Sequence, residues 1–328
     1  MLCTAGGAPF SAMPQNILLF MVGLVILGVG ADLLIRGSAG LARRFGVPPF
    51  VIGFAVVGFG TSAPELAVNL SAACGGSCDM ALGNIVGSNI ANVGLILGTA
   101  ALVRPLAVHM RVLRFEVPIA IGAALALWAL AAGGDIGRAE GAALLAAFAA
   151  VAVLVFRSAR REEPDVKQEL SAPVDKPVPA GRAVAASVLG LAGLTGGAHL
   201  MVGAAAALAR TWGMSDLAIG LTIVAVGTSL PELASSVAAA LRRQPDIAVG
   251  NVIGSNIFNI LLILGVTASV QPVPVPAAAL RVDIPVMAAL SVALLPIMWG
   301  GGRVSRGEGG LLLGLYASYI AWLVVRGA

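Results

Sequence analysis

The chain has 328 residues, of which 59% belong to the hydrophobic set and 11% carry charge. A soluble domain carries about 25% charged residues, so this chain lacks the polar surface to cover a globule of its length. A soluble enzyme is excluded on that ground, and 42 glycines fit packed membrane helices, where small residues let backbones approach.

A spanning helix needs about 20 mostly apolar residues. In chain order, such stretches fall at 17–35, 50–73, 80–103, 115–132 and 139–156. A polar segment follows at 157–182, with five acids, six bases and four prolines, and reads as a flexible linker. Five more stretches come at 183–209, 217–241, 247–270, 282–299 and 310–325. The fold class is thus an all-α integral membrane protein with ten transmembrane helices. Residues 1–16 contain no Lys or Arg, and the apolar run after them outlasts a signal-peptide core, so no cleavage is expected.

Sixteen of the twenty Lys and Arg fall on one side of the alternating loops, the linker included. The positive-inside rule then places the linker in the cytoplasm and both termini outside. The expected location is the plasma membrane, which in a bacterium is the inner membrane. The bases are scattered and not interleaved with aromatics, so no nucleic acid is expected as a partner. Beyond the lipid bilayer, nothing in the chain implies a protein partner or a cofactor.

The sequence repeats itself. Residues 53–98 align without gaps on 220–265, with 24 identities in 46 positions. The first copy carries GTSAPE and then GNIVGSNIAN; the second carries GTSLPE and then GNVIGSNIFN. Residues 1–156 form one repeat and 183–328 the other, each with five spans. An odd number of spans turns the second copy upside down, which is the architecture of many secondary transporters, with ion sites near the midplane. The most similar stretches are polar ones, which packing alone would not select.

Within the spans, Glu65 and Glu232 are repeat equivalents set well inside apolar helices. A charge at a helix centre costs roughly 2.5–3.5 kcal/mol on insertion scales. With no Lys or Arg in the neighbouring spans, each needs a cation or a proton. Thr61 and Glu65 stand one turn apart on one helix face, with Ser62 beside them, and Thr228, Ser229 and Glu232 repeat the pattern. Pro64 and Pro231 lack the N–H that would bind a carbonyl one turn back. Gly58 and Gly60 favour an irregular backbone there, with Ala225 standing at the place of Gly58. The next helix of each half brings Ser88 and Asn92, then Ser255 and Asn259. Hydroxyl, amide, carboxylate and carbonyl oxygens suit hard cations such as Ca²⁺, Mg²⁺ and Na⁺.

These paired GTSxPE and GNxxGSNIxN segments resemble the two alpha-repeats of the sodium/calcium exchangers, in the calcium/cation antiporter superfamily. The resemblance implies that Glu65 and Glu232 ligate both Ca²⁺ and Na⁺. It further implies that Thr61, Ser62, Ser88, Thr228, Ser229 and Ser255 complete neighbouring Na⁺ sites. Carbonyls three residues before each Thr, those of Gly58 and Ala225, contribute as well. Potassium-dependent members carry Asp at the last polar position of the second GSNIxN, where this chain has Asn259. The calcium/proton branch has GNxxE in place of GTSxPE, so the resemblance favours Na⁺ as counter-ion.

The leading expectation is a secondary antiporter that exchanges Ca²⁺ for Na⁺ by alternating access, and not an enzyme. Alternatives are a Ca²⁺/H⁺ or Na⁺/H⁺ antiporter loading the same carboxylates, or a cation channel, which would not need two inverted Glu motifs. No HExxH, GxSxG or GxxxxGK[ST] segment occurs to support an intramembrane enzyme. Other residues receive plainer readings. Asp32 is expected to be solvated or paired with Arg36, and His109 to be exposed in a loop. Cys74 and Cys78 default to free thiols, with a short disulfide as the alternative. Trp128, Trp212, Trp299 and Trp322 lie near span ends as interfacial anchors.

Overall fold

The computed structural model describes residues 13–75, 78–160, 179–212 and 225–327. Helix α1, Met13–Phe45, is followed by a bent pair, α2 (Pro49–Thr61) and α3 (Ala63–Cys74), which meet at 41°. Then come α4 (Met80–Val103), α5 (Val112–Ala131) and α6 (Arg138–Arg160). The second half holds α7 (Ala180–Thr211), α8 (Ala225–Thr228), α9 (Leu230–Leu241), α10 (Pro245–Val270), α11 (Ala279–Trp299) and α12 (Arg306–Gly327). Eight of these helices are long and apolar enough to cross a membrane, and the α2–α3 pair makes nine among the described residues. The tenth expected span, 217–241, is described only from residue 225 onward. Of the linker, its first residues continue α6 and its last begin α7, and 161–178 lie outside the described residues.

Burial sorts the helices into layers. In α10 94% of the spanning window is buried and in α4 78%, against 17% in α6 and 11% in α12. The two helices that carry the GSN segments are therefore the centre of the molecule. The outer face of α1 exposes Ile17, Leu18, Val25 and Val29, as a lipid-facing surface requires.

Helices α1 and α7 are longer than their apolar runs suggest. At 33 and 32 residues each extends about 50 Å, beyond a 30 Å hydrocarbon core. They pack antiparallel along a seam of glycines. A methyl group added to Gly30 would lie 2.6 Å from Leu194 N, and one added to Gly197 would lie 2.5 Å from Leu27 N. Gly30 and Gly197 are repeat equivalents, as are Leu27 and Leu194, so this contact exchanges when the halves are exchanged.

Two short strand pairs obey the same exchange. Strand β1 (Leu106–Ala107) pairs antiparallel with β4 (Arg303–Val304), and β2 (Asp135–Ile136) with β3 (Val273–Pro274). Leu106 faces Val304, while Val273, its equivalent, faces Ile136. The last helix of each half also begins alike. Gly137 N–H donates to Glu140 Oε2 at 3.1 Å, and Ser305 N–H donates to Glu308 Oε2 at 2.7 Å, the reach-back half of a capping box.

The helices are not α-helical throughout. Wider π-turns occupy Gly53–Gly58, Asn92–Leu97, Val112–Glu116, Phe258–Ile263 and Ala279–Asp283. Such turns insert one residue and re-aim side chains, often at functional positions. Asn92 and Asn259 both lie in one.

The glycine seam makes a stability prediction. Gly30→Leu would overpack the α1–α7 contact at a cost of about 1–3 kcal/mol, seen as a lowered melting temperature of the detergent-purified chain. Gly28, with nothing near its Cβ position among the described residues, should accept Ala with no loss. Equal melting temperatures for the two variants would refute the close approach.

Candidate cation site

The site is built where α2 and α8 break. Ser62 leaves helical geometry (φ −84°, ψ 0°) and Ser229 does the same (φ −91°, ψ 3°). Pro64 and Pro231 then stand in the first turn of α3 and α9, where a missing N–H costs nothing. Glu65 and Glu232 follow in that same turn, where the helix dipole favours an anion. The irregularity expected at Gly58 and Gly60 thus takes the form of a π-turn ending at Gly58 and a break at Ser62.

Both carboxylates are buried and close enough for their charges to interact. Ser62 Oγ donates to Glu232 Oε1 at 3.3 Å and lies 3.2 Å from Ser255 Oγ, so residues of both halves meet directly. Thr61 Oγ donates to the Val57 carbonyl at 2.9 Å, with Gly58 O at 3.3 Å and Asn251 Oδ1 at 3.4 Å. The Gly58 carbonyl also accepts Ser62 N–H at 3.0 Å. Asn92 Nδ2 donates to Asn256 Oδ1 at 2.9 Å, joining α4 to α10. Ser88 and Ser229 are buried without joining this bonded cluster among the described residues. Thr228 is half-buried at the end of α8, and of Ala225 only the backbone is described.

Among the described residues, several buried oxygens have no hydrogen-bond partner: Glu65 Oε2, Glu232 Oε2, Asn259 Oδ1, Asn69 Oδ1 and Asn89 Oδ1. Buried acceptors left without donors are costly unless a cation takes their lone pairs. Among the described residues no group of three or more His, Cys, Asp and Glu assembles. The donor set is therefore two carboxylates in a shell of neutral oxygens, which fits a hard ion and not a soft one.

The description of one protein family, the sodium/calcium exchanger proteins, matches residues 15–157 and 182–325. The chain belongs to the sodium/calcium exchanger family. It is 33% identical over 345 residues to the sodium/calcium exchanger MaX1 of Methanosarcina acetivorans, covering 94% of this chain and 98% of that one. It is 39% identical over 317 residues to the inner membrane protein YrbG of Escherichia coli K12, covering 94% and 95%. Among solved structures, the sodium-calcium exchanger NCX_Mj, soaked with Na⁺ and Ca²⁺, superposes with a TM-score of 0.81 at 31% identity, covering 94% and 98%. Membership makes this chain a multi-pass membrane protein of the cation antiporters, a transporter by family.

The exchanger-family fold also holds polar residues that sequence reasoning passed over. Asn69 and Ser236 stand one turn after Glu65 and Glu232, on the same helix face, and both are buried. Asn251, in the GN of the second GNxxGSN, is the most connected amide of the site. Its Nδ2 donates to Ser236 Oγ at 2.8 Å, Ser235 Oγ at 3.1 Å and the Glu232 carbonyl at 3.3 Å. The i, i+4 spacing from each Glu was the signal that would have found Asn69 and Ser236.

A third buried carboxylate corrects the picture of two. Glu116 is only 1% exposed and pairs with Arg111 Nε at 3.3 Å. It lies at the end of a π-turn near one end of α5, outside the hydroxyl cluster. The plainer readings stand where they are described. Asp32 pairs with Arg36 at 2.9 Å and also with Arg242. His109 is 55% exposed and meets Asp246 at 3.3 Å. Cys74 is an exposed free thiol, and the Cys78 side chain lies outside the described residues.

Glu116 should behave as a structural group. Arg111→Met removes a cationic partner from this buried carboxylate and should lower the melting temperature. Arg111→Met combined with Glu116→Gln should recover most of that loss in thermal unfolding. A double variant no more stable than Arg111→Met alone would show that the pair is not the reason for burial.

Proposed function

We propose that this chain exchanges Ca²⁺ for Na⁺ by alternating access, with Glu65 and Glu232 as the shared cation ligands. The observation that carries the reading is the pair of buried carboxylates, each with an unpartnered oxygen, joined across the halves by Ser62 and Ser255. Two negative charges balance one Ca²⁺ or two Na⁺, and a neutralised site passes the hydrocarbon region cheaply. Thr61, Ser62, Ser88, Asn92 and the Gly58 carbonyl supply neutral oxygens from the first half. Thr228, Ser229, Ser255, Asn259 and the Ala225 carbonyl supply them from the second. Asn92 and Asn259 add no charge, which argues against a further K⁺.

In this reading the chain has ten spans in two inverted five-helix repeats, 1–156 and 183–328, with the segment 157–182 between them in the cytoplasm. Both termini lie outside, and the membrane is the plasma membrane. The interchange of the α1–α7 and strand contacts between halves supports a two-fold axis in the membrane plane. The glycine seam makes α1 and α7 one body, suited to move against the rest as access alternates.

Radiocalcium uptake into proteoliposomes tests the function, with Na⁺, K⁺ and H⁺ gradients imposed separately. An outward-directed Na⁺ gradient should drive uptake, and K⁺ should change nothing. Uptake driven by a pH gradient and indifferent to Na⁺ would replace Na⁺ by H⁺ as the counter-ion. Flux unaffected by the far-side ion would indicate a channel. Glu65→Gln and Glu232→Gln should each abolish exchange while the folded protein is recovered in normal amount. Near-normal exchange by either would remove that residue from the site.

A further inference from the structure

We propose that Asn251 is a positioning residue of the cation site, an inference that rests on the antiporter reading and deepens it. Its amide is buried in the second turn of α10 and faces two elements at once. The Nδ2 side is turned toward α9 by three acceptors: Ser236 Oγ at 2.8 Å, Ser235 Oγ at 3.1 Å and the Glu232 carbonyl at 3.3 Å. That choice leaves Oδ1 directed at Thr61 Oγ, 3.4 Å away in α2. One planar group therefore spans from a proposed ligand of the first half to the backbone of a proposed ligand in the second.

The amide's polarity matters as much as its reach. Thr61 has one hydroxyl proton, and its shortest acceptor is the Val57 carbonyl at 2.9 Å. Gly58 O at 3.3 Å and Asn251 Oδ1 at 3.4 Å are its next neighbours, so all three are acceptors and none occupies the hydroxyl's lone pairs. A donor at the place of Oδ1 would take those lone pairs. Asn251 holds the correct edge toward Thr61 because its other edge is engaged.

Its repeat equivalent serves as an internal comparison. Asn84 Nδ2 is buried without a partner, and so is Asn69 Oδ1, the equivalent of the Ser236 hydroxyl. Val68 stands where the second half has Ser235, so the first half lacks one of these acceptors. Among the described residues only the second half makes the bonds, and it is the half whose Glu232 accepts from Ser62. The engaged amide and the engaged carboxylate thus belong to one network.

Calcium-dependent thermal stabilisation of the purified full chain reads apparent affinity without requiring transport. Asn251→Ala should weaken the apparent Ca²⁺ affinity about tenfold, the scale of one or two lost hydrogen bonds of this kind. Ser236→Ala, which removes only the 2.8 Å bond, should weaken it about threefold, and it decides the matter alone if Asn251→Ala does not fold. The double variant should match Asn251→Ala, since both act through one amide. Asn84→Ala should shift the affinity less than about twofold, because in this state its amide hydrogens hold nothing.

A merely structural role predicts a lower melting temperature in Ca²⁺-free buffer with the affinity unchanged, and that result overturns the proposal. An equal affinity shift in Asn84→Ala overturns it too, because the loss would then belong to any buried amide. If the unaltered chain shows no stabilisation by Ca²⁺, the antiporter reading falls and this inference with it. If Ca²⁺ stabilises the unaltered chain and the Asn251→Ala and Ser236→Ala variants keep its apparent affinity, the role of Asn251 falls and the antiporter reading stands.

Discussion

A carboxylate taken into hydrocarbon gives up several kcal/mol of hydration and regains it only from a cation, a proton or a dense set of donors. Glu65 and Glu232 sit at that disadvantage together, buried and close enough to repel. Much of the site's local structure is an answer to it. The helices break at Ser62 and Ser229 so that each Glu enters a first turn, where the helix dipole favours an anion. Ser62 donates to Glu232 and stands beside Ser255 of the other half, polar contacts that add no charge. Donors are scarce around them, which leaves lone pairs for an ion and would be a defect in any site meant to stay empty.

The same constraint explains why the chain needs two copies of one segment. One copy alone carries one of the two carboxylates, and its broken helix exposes polar backbone that lipid does not tolerate. Packing the second copy against it brings Ser255 of the opposite GSN helix onto the break at Ser62. Contacts such as Gly30 with Leu194 and Gly197 with Leu27 repeat with the halves exchanged. The polar network does not repeat in this way among the described residues, since Asn251 is engaged and the amide hydrogens of Asn84 are not, and Val68 stands where the second half has Ser235.

The spans, the repeat and the two central carboxylates were legible because each is a contrast of composition: apolar runs, an alignment of the chain on itself, and charge where charge is rare. What escaped depended on geometry that composition does not carry. The π-turns at Asn92 and Phe258 have no residue signature, yet they decide where Asn92 and Asn259 point. Helices α1 and α7 run past their apolar windows because the partner helix, and not lipid, covers their ends. Glu116 carries no motif, and its burial beside Arg111, one turn away, is a matter of packing that composition does not disclose. Asn251 lay in plain view within a repeated motif. Its role rests on Ser235, Ser236 and Thr61 converging from two other helices, which spacing along one helix cannot disclose.

The amides at 92 and 259 follow from the same charge logic. An Asp at 259 would place a third negative charge in a shell that already holds two, at effective dielectrics where each such neighbour costs about 4 kcal/mol at 4 Å separation. That cost would be recovered only by a further monovalent ion or a proton. An amide supplies the same oxygen at no net charge, and its nitrogen has work to do. Asn92 spends its Nδ2 on Asn256 Oδ1, closing α4 onto α10 at 2.9 Å. Asn259, its equivalent, keeps Oδ1 unpartnered in the interior. The pair thus divides its labour between holding the central helices together and offering an oxygen. In the proposed exchange such a site carries a charge of minus two, which one Ca²⁺ or two Na⁺ would cancel, and either load would leave the interior neutral with no other titrating group.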